Sequence, residues 1–348
     1  MRRREFLRGI GAASVAGVAG CAGLVETRAA NVPPVVENRP DAVYVPSHTE
    51  AMKVAGVATK GAYRCALTYS FPHRFWTVSI GRTERVSIHE DDAVHLMPVV
   101  WHAETGVVPA TTNPQVEISK GGETVTSLSP WPMLSQPMGY HFGDNVELPG
   151  DGTYDVTVRT GAISAATDAL AADAATFEFA FDYARETVRD IEFTTYPEKQ
   201  GAPGAVPPME MERVPTPQVP KPDALPGRPL GRGTSGDAVF VATALADATP
   251  FGGGPEESYL AVSARTPYNR FVLPLTSLSA TVERGGETVF EGSLSTALHP
   301  ELHYHYGASV PRIESGDSVR LAVDAPPQVA RHEGYETAFL DMPPVELG

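Results

Sequence analysis

From about residue 43 onward, the chain consists of short segments in which apolar and polar residues alternate, separated by turn residues such as Gly121-Gly122. Successive side chains of a strand point to opposite faces, so this alternation, together with many Val, Thr and aromatic residues, predicts β-strands. In the first half the predicted strands are residues 63–69, 76–80, 85–88, 94–101, 115–119, 152–159 and 176–181. In the second half they are residues 237–244, 259–264, 280–284, 289–292, 318–323 and 336–341. This spacing predicts an all-β fold of immunoglobulin-like β-sandwiches.

A proline-rich stretch divides the strand-forming regions. Ten prolines fall between Pro197 and Pro229. Proline lacks a backbone N–H donor and fixes φ, so this density disfavours regular strands and favours an extended linker. We therefore predict one sandwich over residues 43–196, a linker over 197–236 and a second sandwich over 237–348.

The two strand-forming regions share a sequence repeat. The segment Val-Glu-Ile-Ser-Lys-Gly-Gly-Glu-Thr-Val at 116–125 reappears 164 positions later as Ala-Thr-Val-Glu-Arg-Gly-Gly-Glu-Thr-Val at 280–289. The same offset relates Tyr140-His141 to Tyr304-His305. One shared hairpin turn is a common coincidence, but a fixed offset over some 25 residues predicts two copies of one domain. Such copies can pack as an intramolecular pseudo-dimer.

The N-terminus has the form of an export signal. Arg2-Arg3 precedes Phe6-Leu7 in a twin-arginine pattern, and a weakly apolar stretch too short to span a bilayer ends at Cys21. Small residues before Cys21 resemble a lipobox, which predicts lipid attachment at this thiol and an anchor on the outer face of the cell membrane. The alternative is an ordinary signal peptide with a chance cysteine. We assign residues 1–21 to the signal and lipobox, and 22–42 to a spacer.

Composition narrows the function. The net charge is −15, with 42 acidic residues and scarce lysine. This balance is typical of haloarchaeal-type proteins, whose acidic surfaces stay hydrated in salt, although an acidic surface also attracts cations. The sequence has no basic patch, which argues against nucleic-acid binding. With Cys21 lipidated, Cys65 is the only remaining cysteine, which excludes an internal disulfide or a multi-thiolate metal site.

Histidine and methionine cluster in a pattern that suits a metal ion. His95 and Met97 share one face of a predicted strand, and Met133 and Met138 shortly precede His141. Imidazole and thioether together suit copper, and ferrous iron or manganese becomes a candidate if carboxylates join. Taken singly, each methionine is also explained as a residue that fills a gap in the core, and His141 as a buried histidine bonded to the backbone. The second half adds His305 and His332 as candidates.

These motifs resemble a known family. Pro132-Met133-Leu134, followed by Gly-Tyr-His-Phe-Gly-Asp-Asn at 139–145, is similar to the motif of the periplasmic Fe2+-transport proteins. His95-Leu96-Met97 and the segment 331–337, Arg-His-Glu-Gly-Tyr-Glu-Thr, resemble two further motifs of that family. The resemblance implies a dimeric, copper-binding β-sandwich of ferrous iron uptake, with Met133 and His141 as metal ligands. Met97 stands where the family has an acidic residue.

Neither repeat contains the whole ligand set. Tyr259-Leu260 occupies the region where His95 would map in the second domain, and residues 161–175 of the first contain no Arg-His pair. We therefore predict one composite site per chain, to which the first domain gives His95, Met133 and His141 and the second gives His332. The alternative is a degenerate second domain in which His305 and His332 are structural.

The sequence thus favours a membrane-tethered protein that holds an ion for delivery to an iron permease. The competing hypothesis is a structural or adhesion β-sandwich lipoprotein without metal. No nucleophile elbow, phosphate-binding loop or zinc-protease helix is present, so we predict no enzymatic activity.

Overall fold

The computed structural model describes residues 33–79, 82–166, 170–211 and 213–347. The predicted signal, Cys21 and the first part of the spacer lie outside these residues. In the part of the chain that is described, no helix is long and apolar enough to cross a membrane.

The described chain is almost entirely β-structure, as the alternating pattern predicts. The strands of the first half are β1 (His48–Glu50), β2 (Lys53–Lys60), β3 (Tyr63–Ser70), β4 (Phe75–Ser79), β5 (Arg82–Val86), β6 (Asp92–His102), β7 (Gln115–Lys120), β8 (Glu123–Leu128), β9 (Trp131–Ser135), β10 (Gly139–Glu147), β11 (Gly152–Thr160), β12 (Ala175–Tyr183) and β13 (Phe193–Thr195). Those of the second half are β14 (Arg228–Ser235), β15 (Ala238–Leu245), β16 (Glu257–Arg265), β17 (Ser277–Arg284), β18 (Glu287–His299), β19 (His303–Pro311), β20 (Ser318–Ala325), β21 (Ala330–Arg331) and β22 (Val345–Leu347). A five-residue helix, α1 (Arg185–Arg189), and two short 3-10 helices, Pro222–Ala224 and Thr249–Phe251, complete the described elements.

The first sandwich packs two antiparallel sheets face to face. One has the order β2-β3-β6-β10-β9, and the other has the order β12-β11-β7-β8. Strand β12 shows why the sheets pack, because Phe177, Phe179 and Phe181 alternate with exposed residues and so form one apolar face. The resulting core is continuous with that of the second half.

The second half repeats this architecture. One sheet has the order β14-β15-β16-β19-β18, which corresponds to β2-β3-β6-β10-β9. The other has the order β22-β20-β17-β18, which corresponds to β12-β11-β7-β8. The long strand β18 belongs to both sheets and takes the place of β8 and β9. The repeated Gly-Gly turns also agree, with φ of 60° and 84° at Gly121 and Gly122 and of 61° and 88° at Gly285 and Gly286. A Gly-Gly pair takes two successive positive φ values at low cost. The predicted internal repeat and sandwich class are confirmed.

The proline-rich segment differs from an extended spacer. Strand β14 lies inside the predicted linker and includes Pro229. It forms the outer edge of its sheet, where a missing N–H donor is tolerated, and the pairing slips between Pro229 and Gly231. The preceding residues pack on the sandwiches, since the Val206 N–H donates to Gln136 Oε1 and the Met209 N–H to the Pro137 carbonyl.

The second half also contributes a strand to the first sandwich. Strand β21 lies between β9 and β4, parallel to β9, so that the first sheet continues as β9-β21-β4-β5. The loop that carries β21 is held by Arg331, whose buried guanidinium donates to the carbonyls of Ala338 and Pro327. This strand addition carries the residue after Arg331 into the first sandwich.

Candidate metal centre

Three histidines from different strands meet at one point. One nitrogen of each of His95, His141 and His332 lies within 4.8 Å of the others. The ring centroids of His95 and His332 are 5.6 Å apart, and those of His141 and His332 are 5.4 Å apart. The structure therefore brings His332 to the first sandwich, as the composite arrangement requires.

Strand register explains this convergence. On β10, His141 pairs with Met133 of β9, and Asn145 pairs with His95 of β6. On the other side of β9, Ala330 lies beside Met133 in the parallel pairing with β21. The His332 N–H then donates to the Leu134 carbonyl at 3.0 Å, which fixes the backbone next to the site.

The ring hydrogen bonds of His95 and His141 both use Nδ1 and leave Nε2 free. Nδ1 of His95 lies 2.9 Å from Asn145 Oδ1, and Nδ1 of His141 lies 3.0 Å from the Gly139 carbonyl. Both partners are acceptors, because the Asn145 amide nitrogen donates to the His73 carbonyl, so each Nδ1 carries the proton. Nε2 of His95, His141 and His332 is buried and has no hydrogen-bond partner among the described residues. Unpaired buried nitrogens are costly, and three lone pairs at one point suit a cation.

Burial also keeps these imidazoles neutral. It lowers the pKa of His141 to about 4 and lowers the pKa values of His95 and His332 well below the ordinary value. Desolvation disfavours the charged ring, and the neighbouring histidines add to this effect at His95 and His332. Neutral imidazole is the form that binds a metal, so protons compete only weakly at neutral pH.

A thioether and a glycine complete the centre. Met133 is fully buried. A Cβ atom at Gly143 would lie 2.5 Å from His95 Nε2 and 3.2 Å from the Met133 sulfur, so both atoms flank the same space. The missing side chain at Gly143 therefore leaves room beside an imidazole nitrogen and a thioether sulfur, the donors that a soft ion prefers.

A small cavity of about 60 Å³ reaches the centre. His141 and His332 form part of its wall, and four methionines form another part, namely Met52, Met97, Met138 and Met209. Met97 and Met138, both predicted as ligands, also pack in an apolar cluster with Trp101, whereas Leu96 faces the sandwich core. His95 and Met97 thus share a strand face, as the period of two predicts.

His305, the remaining predicted ligand, lies elsewhere. It occupies the position of His141 in the second sandwich, and its Nδ1 bonds the His303 carbonyl in the same way, at 3.0 Å. Its Nε2, however, lies 3.1 Å from the hydroxyl of Tyr259, which stands where the first sandwich has His95. Ala297 replaces Met133 as its strand partner. A phenol therefore occupies the side of Nε2 that a metal would need, and His305 is not among the three histidines that meet at the centre.

Several residues at the site were not predicted. The ring of His73 lies 4.6 Å from that of His95, and Asn145 Oδ1 also accepts the His73 N–H. His73 belongs to none of the sequence motifs, so nothing in the sequence pointed to it. Asn145 lay within the family-like motif, and its position four residues after His141 was the available signal.

We expect Asn145→Ala to weaken metal binding about 10–100-fold, the usual cost of losing a partner that orients a ligand histidine. The reason is that the Nδ1 proton of His95 would lose its acceptor, so the ring could rotate or change tautomer. Titration with a chromophoric Cu(I) chelator measures the affinity. Gln115→Ala, at an exposed position on β7 in the other sheet, is the control, and an unchanged affinity in Asn145→Ala would contradict the assigned role.

Acid should destabilise the metal-free protein through its buried histidines. The pKa values of His141 and His305 are lowered from 6.5 to about 4, so below pH 6.5 the unfolded chain binds protons that the folded chain refuses. Stability is therefore lost as the pH falls from 6.5 towards 4, by about 3 kcal/mol for each histidine. Urea unfolding across this range measures the loss. His305→Gln should remove the part of this loss of unfolding free energy that His305 causes. An undiminished pH dependence in that variant would argue against a buried neutral His305.

Residues 223–348 match a family described as a domain of unknown function, DUF7350. The chain is similar to two crystal structures of FetP from uropathogenic Escherichia coli, one of the as-isolated protein and one of a copper-bound variant. The sequence identity is 17% in both, the TM-scores are 0.31 and 0.30, and the matches cover 38% of this chain and 97% of FetP. No curated protein sequence matches the chain.

Proposed function

We propose that this chain binds one soft or borderline metal ion at a centre formed by His95, His141, His332 and Met133. The observation that carries the proposal is the group of three buried, unpartnered Nε2 atoms beside a thioether sulfur. Three neutral imidazoles and one thioether form a ligand set that favours Cu(I) over hard ions such as Mg2+. Ferrous iron, which imidazole also binds, is the second candidate.

The wall of the cavity supports a role in carrying an ion. Met97 and Met138 are buried, and Met52 and Met209 are half-buried, where the cavity reaches the centre. Thioethers are weak, neutral donors, so an ion can pass along them without being trapped. We infer a binding and delivery protein rather than an enzyme, one that holds the ion and releases it to a permease.

Location and uptake role rest on the sequence motifs. The twin-arginine pattern and Cys21 support an exported protein anchored by lipid to the outer face of the membrane. The family-like motifs around Met133, His141 and Arg331-His332 support a place in iron, or copper, uptake. A tether would keep the carrier near a permease, which raises the local concentration of the ion-loaded form.

The arrangement of the halves supports an intramolecular pseudo-dimer with one site. Strand β21 of the second half joins the sheet of the first, and the Ala166 N–H of the first half donates to the Leu298 carbonyl of the second. Each half thus contributes a segment that bonds to the other half, as in a symmetric dimer whose subunits use the same surface. Because Tyr259 and Ala297 replace two ligands, the second copy serves as a scaffold that supplies His332.

Metal analysis of the purified chain tests the proposal. With Cu(I) and Fe2+ offered separately under anaerobic conditions, we expect one tightly held equivalent that His332→Ala removes. A chain that retains no metal from either solution would favour the structural or adhesion hypothesis instead.

A further inference from the structure

The hydrogen bonds that hold His332 are made by its backbone. His95 and His141 are each oriented by a hydrogen bond at Nδ1, whereas the ring of His332 forms no hydrogen bond among the described residues. The His332 N–H donates to the Leu134 carbonyl, and the His332 carbonyl accepts a bond from within its own loop at 3.1 Å. The place of Nε2 therefore depends on the conformation of the loop that carries it, residues 331–337.

Glu333, the residue after His332, ties this loop to the N-terminal arm, which we define as residues 33–47. Glu333 is 7% exposed and lies outside the three-histidine group. Its Oε1 accepts the Val36 N–H at 3.0 Å, and its Oε2 accepts the Ser47 hydroxyl at 2.6 Å. Both oxygens of a buried carboxylate are thus bonded to the arm.

Glu336 ties the same loop to the arm a second time. It is 2% exposed, and its Oε1 accepts the Tyr44 hydroxyl and, at 3.0 Å, Nη1 of Arg39. The Tyr44 N–H also donates to the Gly334 carbonyl at 3.2 Å. A buried carboxylate is costly unless it is paired and hydrogen-bonded, so the arm stabilises the buried conformation of the loop.

The arm is itself fixed to the rest of the fold. The Val45 N–H donates to the Ala202 carbonyl at 2.9 Å. Nη2 of Arg74 donates both to the Pro33 carbonyl, at 2.6 Å, and to Glu333 Oε2, at 3.2 Å. The loop of His332 is therefore held against a fixed support.

We propose that the N-terminal arm is a strap that positions His332, so that the chain retains its ion while the arm is bonded to the 331–337 loop and releases it when the arm leaves. The inference rests on the proposed metal centre and adds a means of release to it. When the arm leaves, Glu333 and Glu336 lose donors, which favours a conformation of the loop that opens to water. His332 moves with the loop, and the ion loses a ligand. The arm follows the predicted lipid site at Cys21 in the sequence, so tension on that anchor acts on the strap.

Tyr44→Phe tests the strap in the full-length chain. The variant removes only the hydroxyl that Glu336 accepts, so we expect Cu(I) affinity to fall about tenfold, the lower end of the cost of losing a group that orients a ligand. The rate at which a chromophoric chelator removes Cu(I) should rise by a similar factor. Arg39→Met, at a side chain that is 32% exposed, is the second variant and should act in the same direction.

Tyr63→Phe is the matched control for Tyr44→Phe. It also removes a buried tyrosine hydroxyl, which donates to the Leu170 carbonyl at 2.5 Å, away from the arm. It should bind Cu(I) and release it as the wild type does, even if its thermal stability falls.

Hydrogen exchange separates positioning from general destabilisation. In Tyr44→Phe, the amides of residues 331–337 should exchange faster, whereas those of β10, which carries His141, should keep the wild-type rate. Unchanged Cu(I) affinity in both Tyr44→Phe and Arg39→Met would overturn the strap, and so would a loss of affinity with equal acceleration in the loop and in β10. A wild-type chain that binds no Cu(I) would instead refute the metal centre on which the strap rests.

Discussion

His141→Ala is expected to lower the affinity of the chain for Cu(I) by at least about a hundredfold, since removing a direct ligand costs more than removing its orienting partner. His141 pairs with Met133 in the sheet, and its ring lies 5.4 Å from that of His332. In the part of the chain that the structure describes, its Nε2 has no hydrogen-bond partner. Competition with a chromophoric Cu(I) chelator measures the affinity.

The chain contains a matched control for this substitution. His305 has the same position in the second sandwich and the same Nδ1 bond to a carbonyl, but its Nε2 faces Tyr259. His305→Ala should therefore leave Cu(I) affinity unchanged while costing stability, because the Tyr259 hydroxyl loses its buried partner, at about 1–3 kcal/mol. Equal losses of affinity in the two variants would mean that the effect of His141→Ala is general unfolding.

Gly143→Ala is expected to lower Cu(I) affinity by at least about tenfold, or 1.4 kcal/mol. The new Cβ would lie 2.5 Å from His95 Nε2, closer than such atoms approach in proteins. His95 is fully buried and held by Asn145, so it cannot swing away without breaking that bond. The methyl group would occupy the space that we assign to the ion.

Gly161→Ala is the control for added bulk, because its Cβ would meet only the Thr112 carbonyl at 3.6 Å. It should bind Cu(I) as the wild type does. If Gly143→Ala also binds normally and remains folded, the ion does not sit between His95 and Met133.

Much of this architecture could be predicted from local patterns. The alternation of Phe177, Phe179 and Phe181 with polar residues marks a half-buried strand, and the repeated Gly-Gly turns mark two related hairpins. Period two also placed His95 and Met97 on one face. These features depend on neighbours in the sequence or on a fixed offset, so the sequence carries them directly.

The rest depends on contacts between distant segments. Strand β14 formed despite Pro229 because an edge strand does not need every N–H, a fact that proline density alone does not convey. His73 lies beside His95 because the loop before β4 is bonded to Asn145 on β10, a contact between segments 72 positions apart. His305 was predicted as a ligand from its similarity to His141, and the difference came from Tyr259, 46 positions away.

The most direct test of the central claim is an anomalous difference map at the copper edge, from crystals of the chain loaded with Cu(I). We predict a peak within bonding distance, about 2.0–2.3 Å, of Nε2 of His95, His141 and His332 and of the Met133 sulfur. A peak at any other position, with those three nitrogens uncoordinated, would contradict it.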